Sequence, residues 1–141
     1  MSDSDAELQQ LVDALPQYED QIRYWESQLQ AISNVRADVV QAQETLNGML
    51  DSKKEMEMLV PVGHNTSIFT TVDNPDRILV GLGSRVYMET TCKDSLKRLN
   101  NRLEDLEKAS QTYQENLSKS QKDYVALRER AEYLNSNPEA R

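Results

Sequence analysis

The sequence predicts a mainly α fold with a small β part, in which a long antiparallel two-helix coiled coil is joined by two β-hairpins. Apolar heptads fill both ends of the 141-residue chain, and short β-branched runs separated by turn residues fill the middle. Gly and Pro number only four each, as helical segments require. We therefore expect a helix at 1–57, two hairpins at 58–91, a helix at 92–136 and a disordered tail at 137–141.

The first helix carries a heptad repeat with position a at Leu8 and position d at Leu11. From there to Leu50 every a and d position is apolar except Arg36 and Gln43. This stretch is longer than a single amphipathic helix needs, so it predicts one strand of a coiled coil.

The C-terminal third repeats this pattern. From Leu96 to Leu134 the a and d positions are apolar except Ser110 and Ser120. Because the two helical segments are similar in length, folding back between them lets them pair antiparallel. A fold-back point near 57 and 92 predicts that Trp25 lies near Tyr124, and Leu15 near Leu134, within a turn.

Polar residues and prolines mark the expected helix ends. Ser4 offers a capping box for the first helix, and Pro16 either kinks that helix or marks a later start; we expect a kinked helix that begins near Ser4. Thr91 is the expected N-cap of the second helix, with Asp94 at its third position, and Asn135–Pro138 supplies the stop.

Four β-branched runs occupy the middle segment, namely Leu59–Val62, Ser67–Val72, Ile78–Leu82 and Val86–Thr90. Turn-forming residues separate them, so we expect two consecutive hairpins. Four short strands do not form a stable sheet without another layer. We therefore expect an oligomer whose interface consists of the apolar residues Val60, Val62, Ile68, Phe69, Val72, Ile78, Leu79, Val80, Leu82, Val86, Tyr87 and Met88.

Charge and cysteine content narrow the class of partner. With 24 acidic and 16 basic residues the net charge is −8, which repels nucleic acid and anionic membrane surfaces, so neither is an expected partner. The single Cys92 closes no intrachain disulfide, and the first five residues are acidic and resemble no export signal. We expect a cytoplasmic protein.

No pattern indicates an enzyme, a metal or a cofactor. Gly81–Ser84 lacks the third Gly and the Lys of a phosphate-binding loop, and His64 has no nucleophile arranged with it. Cys92, at the start of a helix, is either an activated thiol or a small buried hydrophobe, and we favour the second interpretation.

Two strings in the hairpin segment carry a family resemblance. Leu59–Gly63 and Ile78–Glu89 resemble the hairpin segment of archaeal-type prefoldin alpha subunits, and the flanking heptads are similar to that family's helix–β–helix plan. The resemblance implies a hexamer of two alpha and four beta subunits. It also implies an ATP-independent holdase chaperone that binds unfolded client proteins at its coiled-coil tips and delivers them to a thermosome-type chaperonin.

Apolar residues near both termini are the candidates for client binding, because helix ends that lose their partner fray. Val12 and Tyr133 lie off the a and d positions and are the better candidates. The others also fit the seam, which is the row of a and d positions where the two helices pack together. The alternative function is a structural coiled-coil scaffold or adaptor for one folded partner. The candidate tip residues are Leu8, Leu11, Val12, Leu15, Leu127, Ala131, Tyr133 and Leu134.

Overall fold

The computed structural model describes residues 3–52, 55–137 and 139. It confirms the predicted fold class, with two long helices and two antiparallel hairpins. The chain divides into two compact units. The first unit combines the residues up to Asn34 with those from Leu106, and the second is Val35–Asp105. In chain order the elements are α1 (Asp3–Asp51), β1 (Met56–Gly63), β2 (Thr66–Val72), β3 (Ile78–Gly83), β4 (Val86–Thr90) and α2 (Cys92–Ser136).

Helix α1 begins at Asp3 and continues through Pro16, so a helix start at the proline is wrong. Ser4 lies inside the helix and is not its N-cap. Asp3 and Asp5 occupy the first turn, where carboxylates interact favourably with the positive end of the helix dipole.

The end of α1 differs from the predicted boundary between 57 and 58. The helix ends at Asp51, and β1 already begins at Met56. Met56 and Met58 are half-buried while Glu57 between them is exposed, which is the alternation of a strand and not of a heptad. Most of the predicted disordered tail, at 138, 140 and 141, lies outside the described residues.

The N-terminus of α2 is capped as predicted. The Thr91 hydroxyl accepts a hydrogen bond from the Asp94 backbone N–H at 3.1 Å. A carboxylate adds a second cap, since Asp76 in the loop between the hairpins accepts from the Cys92 backbone N–H at 3.0 Å. Two of the N–H groups that a helix start leaves unpaired are thus satisfied, and one of these bonds ties the loop to α2.

Both hairpins use the same turn. His64 and Asn65 have φ of 45° and 57°, and Ser84 and Arg85 have φ of 50° and 61°. Positive φ at both central residues is typical of the type I′ turn, which matches the twist of the flanking strands. The register shifts just before each turn, between Pro61 and Gly63 and between Gly81 and Gly83, so each hairpin has one extra residue there, Val62 or Leu82.

In the first unit the helices pair in a register different from the predicted one. The rings of Trp25 and Tyr113 lie 5.4 Å apart, so the predicted neighbour of Trp25, Tyr124, is wrong. Tyr124 instead donates a hydrogen bond from its hydroxyl to Glu19 at 3.0 Å. The buried apolar residues of this unit are Leu106, Leu117, Ala131 and Leu134.

The second unit shows why the register shifts. The Cys92 thiol lies 3.5 Å from the Leu46 carbonyl oxygen, so α2 starts opposite Leu46 and not opposite position 57. The Gln43 side chain donates to Asn100 at 2.6 Å, in keeping with this alignment. The last turn of α1 therefore extends past the start of α2, and every pair predicted from a fold-back at 57 moves along the helix.

We expect Thr91→Ala to lower the free energy of unfolding by about 1 kcal/mol, because the Asp94 N–H loses its cap. Urea unfolding followed by circular dichroism measures the change, and Thr91→Ser is the matched control that keeps the hydroxyl. Equal stability of the Ala and Ser variants would contradict the capping role.

Candidate assembly and client-binding surfaces

The hairpins display large apolar side chains on the surface of the second unit. Phe69 is 72% exposed, Leu79 67% and Tyr87 64%. Four other members of the predicted interface, Val72, Ile78, Val80 and Met88, are half-buried. The remaining predicted members, Val60, Val62, Ile68, Leu82 and Val86, are exposed as well.

Cross-strand register places these residues on defined faces. Phe69 lies opposite Leu59, which is 59% exposed and belongs to the same face. Tyr87 lies opposite Gly81, and a Cβ on that glycine would meet the tyrosine ring at 3.4 Å. Leu59 is not among the predicted interface residues, although its place in the strand pattern next to Val60 was the available signal.

The inner face of the second hairpin has a different environment. Ile78 and Val80 line a cavity of about 540 Å³ together with Leu46 of α1 and Leu99 of α2. Leu79 contributes to the lining as well. Ile78 and Val80 are half-buried, whereas Leu79 and Tyr87, on the outer face, are 67% and 64% exposed.

Strand edges are open on both hairpins. β1 pairs with β2 and β3 pairs with β4, in two separate two-stranded sheets. Within the described part of the chain, each strand thus has one edge whose backbone N–H and C=O groups lack a ladder partner. Such edges accept a further strand.

Near the termini, in the first unit, the predicted tip residues fall into three groups. Val12 is 47% exposed and Tyr133 is 53% exposed, whereas Ala131 and Leu134 are buried. The half-buried members are Leu8, Leu11, Leu15 and Leu127. The seam thus takes up Ala131 and Leu134, and the two off-seam residues present the apolar surface.

A charged pair links the two helices beside this surface. The Arg130 guanidinium donates two hydrogen bonds to the Glu7 carboxylate, at 2.9 and 3.2 Å. It also lies 5.7 Å from the centre of the Tyr133 ring. The hydrogen bond from Arg130 lowers the pKa of Glu7 below its usual range, and the same bond raises the pKa of Arg130.

Cys92 is a buried hydrophobe and not an activated thiol. Its side chain is fully buried, and desolvation, followed by the nearby Asp76 carboxylate, raises its pKa. His64 and Gly81–Ser84 take part in the hairpin turns. No cluster of three or more metal-ligating side chains occurs in the part of the chain that the structure describes. In that same part, neither helix has an apolar stretch long enough to cross a bilayer.

We expect the Glu7–Arg130 pair to protect the first turns of α1 from hydrogen exchange at neutral pH and low salt. Because the pKa of Glu7 is lowered in the fold, the stabilisation is present above its ordinary pKa of about 4.3 and is lost as pH falls through the lowered value. Protection factors measured by NMR should fall at pH 7 in Glu7→Gln, and acidification below the lowered pKa of Glu7 should bring the unmodified chain to the same level.

The control for the Glu7–Arg130 pair is Asp20→Asn. This variant removes the exposed Arg23–Asp20 pair within α1 and leaves the Glu7–Arg130 pair between the helices intact. If Glu7→Gln leaves the protection near the termini unchanged, the ion pair does not hold the helices together there.

The chain is 31% identical over 81 residues to prefoldin subunit alpha of Methanopyrus kandleri, covering 57% of this chain and 52% of that protein. It is 36% identical over 78 residues to prefoldin subunit alpha of Methanosarcina acetivorans, covering 55% and 54%. In these matches the chain spans about half the length of the curated relatives.

A solved structure has the same fold. A chain of filamentous PFD from Methanocaldococcus jannaschii, studied by cryo-EM, superposes with a TM-score of 0.70 at 19% identity, covering 82% of this chain and 95% of that one. The family described as Prefoldin subunit matches residues 18–135, which include both hairpins and most of each helix. On that match, the chain belongs to the prefoldin family.

Proposed function

We propose that the chain is the alpha subunit of a prefoldin complex and acts as an ATP-independent holdase that binds unfolded proteins at the terminal ends of its helices. The observation that carries this proposal is the exposure of Val12 and Tyr133 beside a paired helix seam, in a chain of the prefoldin family. Exposed apolar side chains on a helical support suit segments that unfolded chains expose.

The hairpins support the assembly part of the proposal. Two-stranded sheets are marginal by themselves, and their outer faces carry exposed aromatic and aliphatic residues such as Phe69 and Tyr87. Strands from neighbouring subunits would pair with the open edges and cover these faces. Together with the alpha-subunit relatives, this favours a hexamer of two alpha and four beta subunits.

The strength of client binding depends on how many chains of the complex contact one client. Burying one apolar side chain is worth about 1.5 to 3 kcal/mol at most, so Val12 and Tyr133 of a single chain hold a client weakly. Several chains acting on one client raise the retention by effective concentration, without any new kind of contact. Holdase activity is therefore a property of the complex, and transfer to a thermosome-type chaperonin is the step that follows it.

The acidic character of the chain fits this role. The net charge of −8 on each copy of this chain helps to keep a complex with an aggregation-prone client in solution. It also favours a basic docking surface on the chaperonin. The buried thiol of Cys92 suits a reducing compartment, and we place the complex in the cytoplasm.

The double variant Val12→Ser/Tyr133→Ser should suppress the aggregation of a chemically denatured protein several-fold less well than the unmodified complex. Light scattering at a fixed ratio of complex to client, without nucleotide, measures this. The matched control is Val35→Ser, which removes a similarly exposed valine from the second unit.

Full suppression by the double variant would contradict the terminal site. Failure of the unmodified complex to suppress aggregation, at a mass that shows it to be assembled, would favour the scaffold alternative. In that case one folded partner should bind the paired helices α1 and α2, whereas arbitrary denatured proteins should not bind.

A further inference from the structure

An aromatic groove lies between the two helices of the first unit, apart from the terminal residues. Its volume is about 650 Å³, within the range of ligand-binding pockets. We call it the aromatic groove, and the residues that bear on its chemistry are Tyr18, Asp20, Tyr24, Trp25, Lys119 and Asp123.

The aromatic side chains of the groove are arranged as a wall. The Tyr24 and Trp25 rings meet edge to face, with centroids 4.9 Å apart and an interplanar angle of 71°. Trp25 also packs against Tyr113 on α2, with ring centroids 5.4 Å apart. Tyr24 is off the a and d positions and 54% exposed, so seam packing does not account for an aromatic residue there.

Arginine side chains form cation–π contacts with two other tyrosines of the same unit. The Arg128 guanidinium lies 5.9 Å from the centre of the Tyr124 ring, and Arg130 lies 5.7 Å from that of Tyr133. Among the described residues, no Lys or Arg is placed in this way over Tyr24 or Trp25. Tyr24 and Trp25, which line the groove, therefore have no cation over their rings within the described part of the chain.

Charge at the rim is mixed, with one more carboxylate than ammonium group. Asp20 and Asp123 contribute two carboxylates, and Lys119 contributes the ammonium group. Asp20 is ion-paired with Arg23, so the carboxylate available to a ligand is that of Asp123, which forms no ion pair with any described residue. The net charge of −8 adds a longer-range attraction for a basic ligand.

We propose that the aromatic groove binds a Lys- or Arg-bearing segment of an unfolded polypeptide, with the cationic side chain over the exposed Tyr24 ring and close to Asp123. The groove is larger than one ammonium or guanidinium group, which favours a cation carried on a chain with neighbouring apolar residues. The inference rests on the proposed holdase function for the source of that segment. It adds a preference for basic segments to the apolar contacts at the termini.

The fluorescence of Trp25 reports binding to the groove, because Trp25 is the only tryptophan of the chain. The assembled complex is titrated with three unstructured peptides that share the same three Leu residues and carry three Arg, three Gln or three Glu. Emission of Trp25 is followed, and a complex carrying Trp25→Phe is subtracted to remove the signal of partner subunits. Free arginine, added as a competitor, separates a bare cation from one held on a polypeptide.

We expect the Arg peptide to bind about tenfold more tightly than the Gln peptide, and the Glu peptide more weakly still. Tyr24→Ala should weaken the Arg peptide about fivefold and Tyr24→Phe much less, since the ring is kept. Asp123→Asn should weaken it about threefold, and 0.5 M salt should reduce the difference between the peptides. Free arginine should compete only at much higher concentration than the peptide.

Equal affinity for the Arg and Gln peptides would overturn the proposal. So would an affinity for the Arg peptide that Tyr24→Ala leaves unchanged at unchanged helicity. The groove would then be only a gap in the packing between the helices. Displacement by free arginine at the peptide's own concentration would overturn the polypeptide as ligand. The readout is independent of aggregation. Loss of the terminal site in Val12→Ser/Tyr133→Ser would therefore leave the Trp25 response unchanged, and failure of either proposal is visible by itself.

Discussion

The structure of the second unit depends on one constraint, which is that a two-stranded hairpin cannot bury both of its faces. One face of the second hairpin meets α1 and α2 through Ile78 and Val80. The other face carries Leu79 and Tyr87, and in the first hairpin Leu59 and Phe69 are exposed in the same way. Because burying such side chains is the main favourable term in folding and association, these outer faces favour assembly with other chains.

Local hydrogen bonds hold the hairpins in the position that this constraint requires. Asp76 accepts from the first N–H of α2, and Thr91 accepts from a later one. The side chain of Asn74 accepts in turn from the Asp76 backbone N–H at 3.0 Å, so the loop between the hairpins is ordered by its own residues. Arg77, just before β3, is paired with Glu89 of β4. The loop joins the second hairpin to the start of α2.

The sequence predicted those features that depend on local chemistry. Thr91 as N-cap, the two pairs of strands and the stop after Asn135 each follow from residues within a few positions of one another. The pairing of the helices was predicted wrongly, because a heptad repeat fixes which face of a helix is buried but not which residue lies opposite. That choice depends on where α1 ends, and the strand alternation from Met56 was read as helix. The aromatic groove was missed for the same reason, since it needs the correct neighbours of Trp25.

We propose that the hairpin surface is covered by neighbouring subunits in the assembled protein. Amide hydrogen exchange of residues 56–90, in the isolated chain and in its complex with partner subunits, tests this claim most directly. Pairing of the open edges predicts that exchange on β1 to β4 slows by roughly tenfold or more in the complex. Unchanged exchange on all four strands, in a complex of confirmed mass, would contradict the account and place the subunit interface elsewhere.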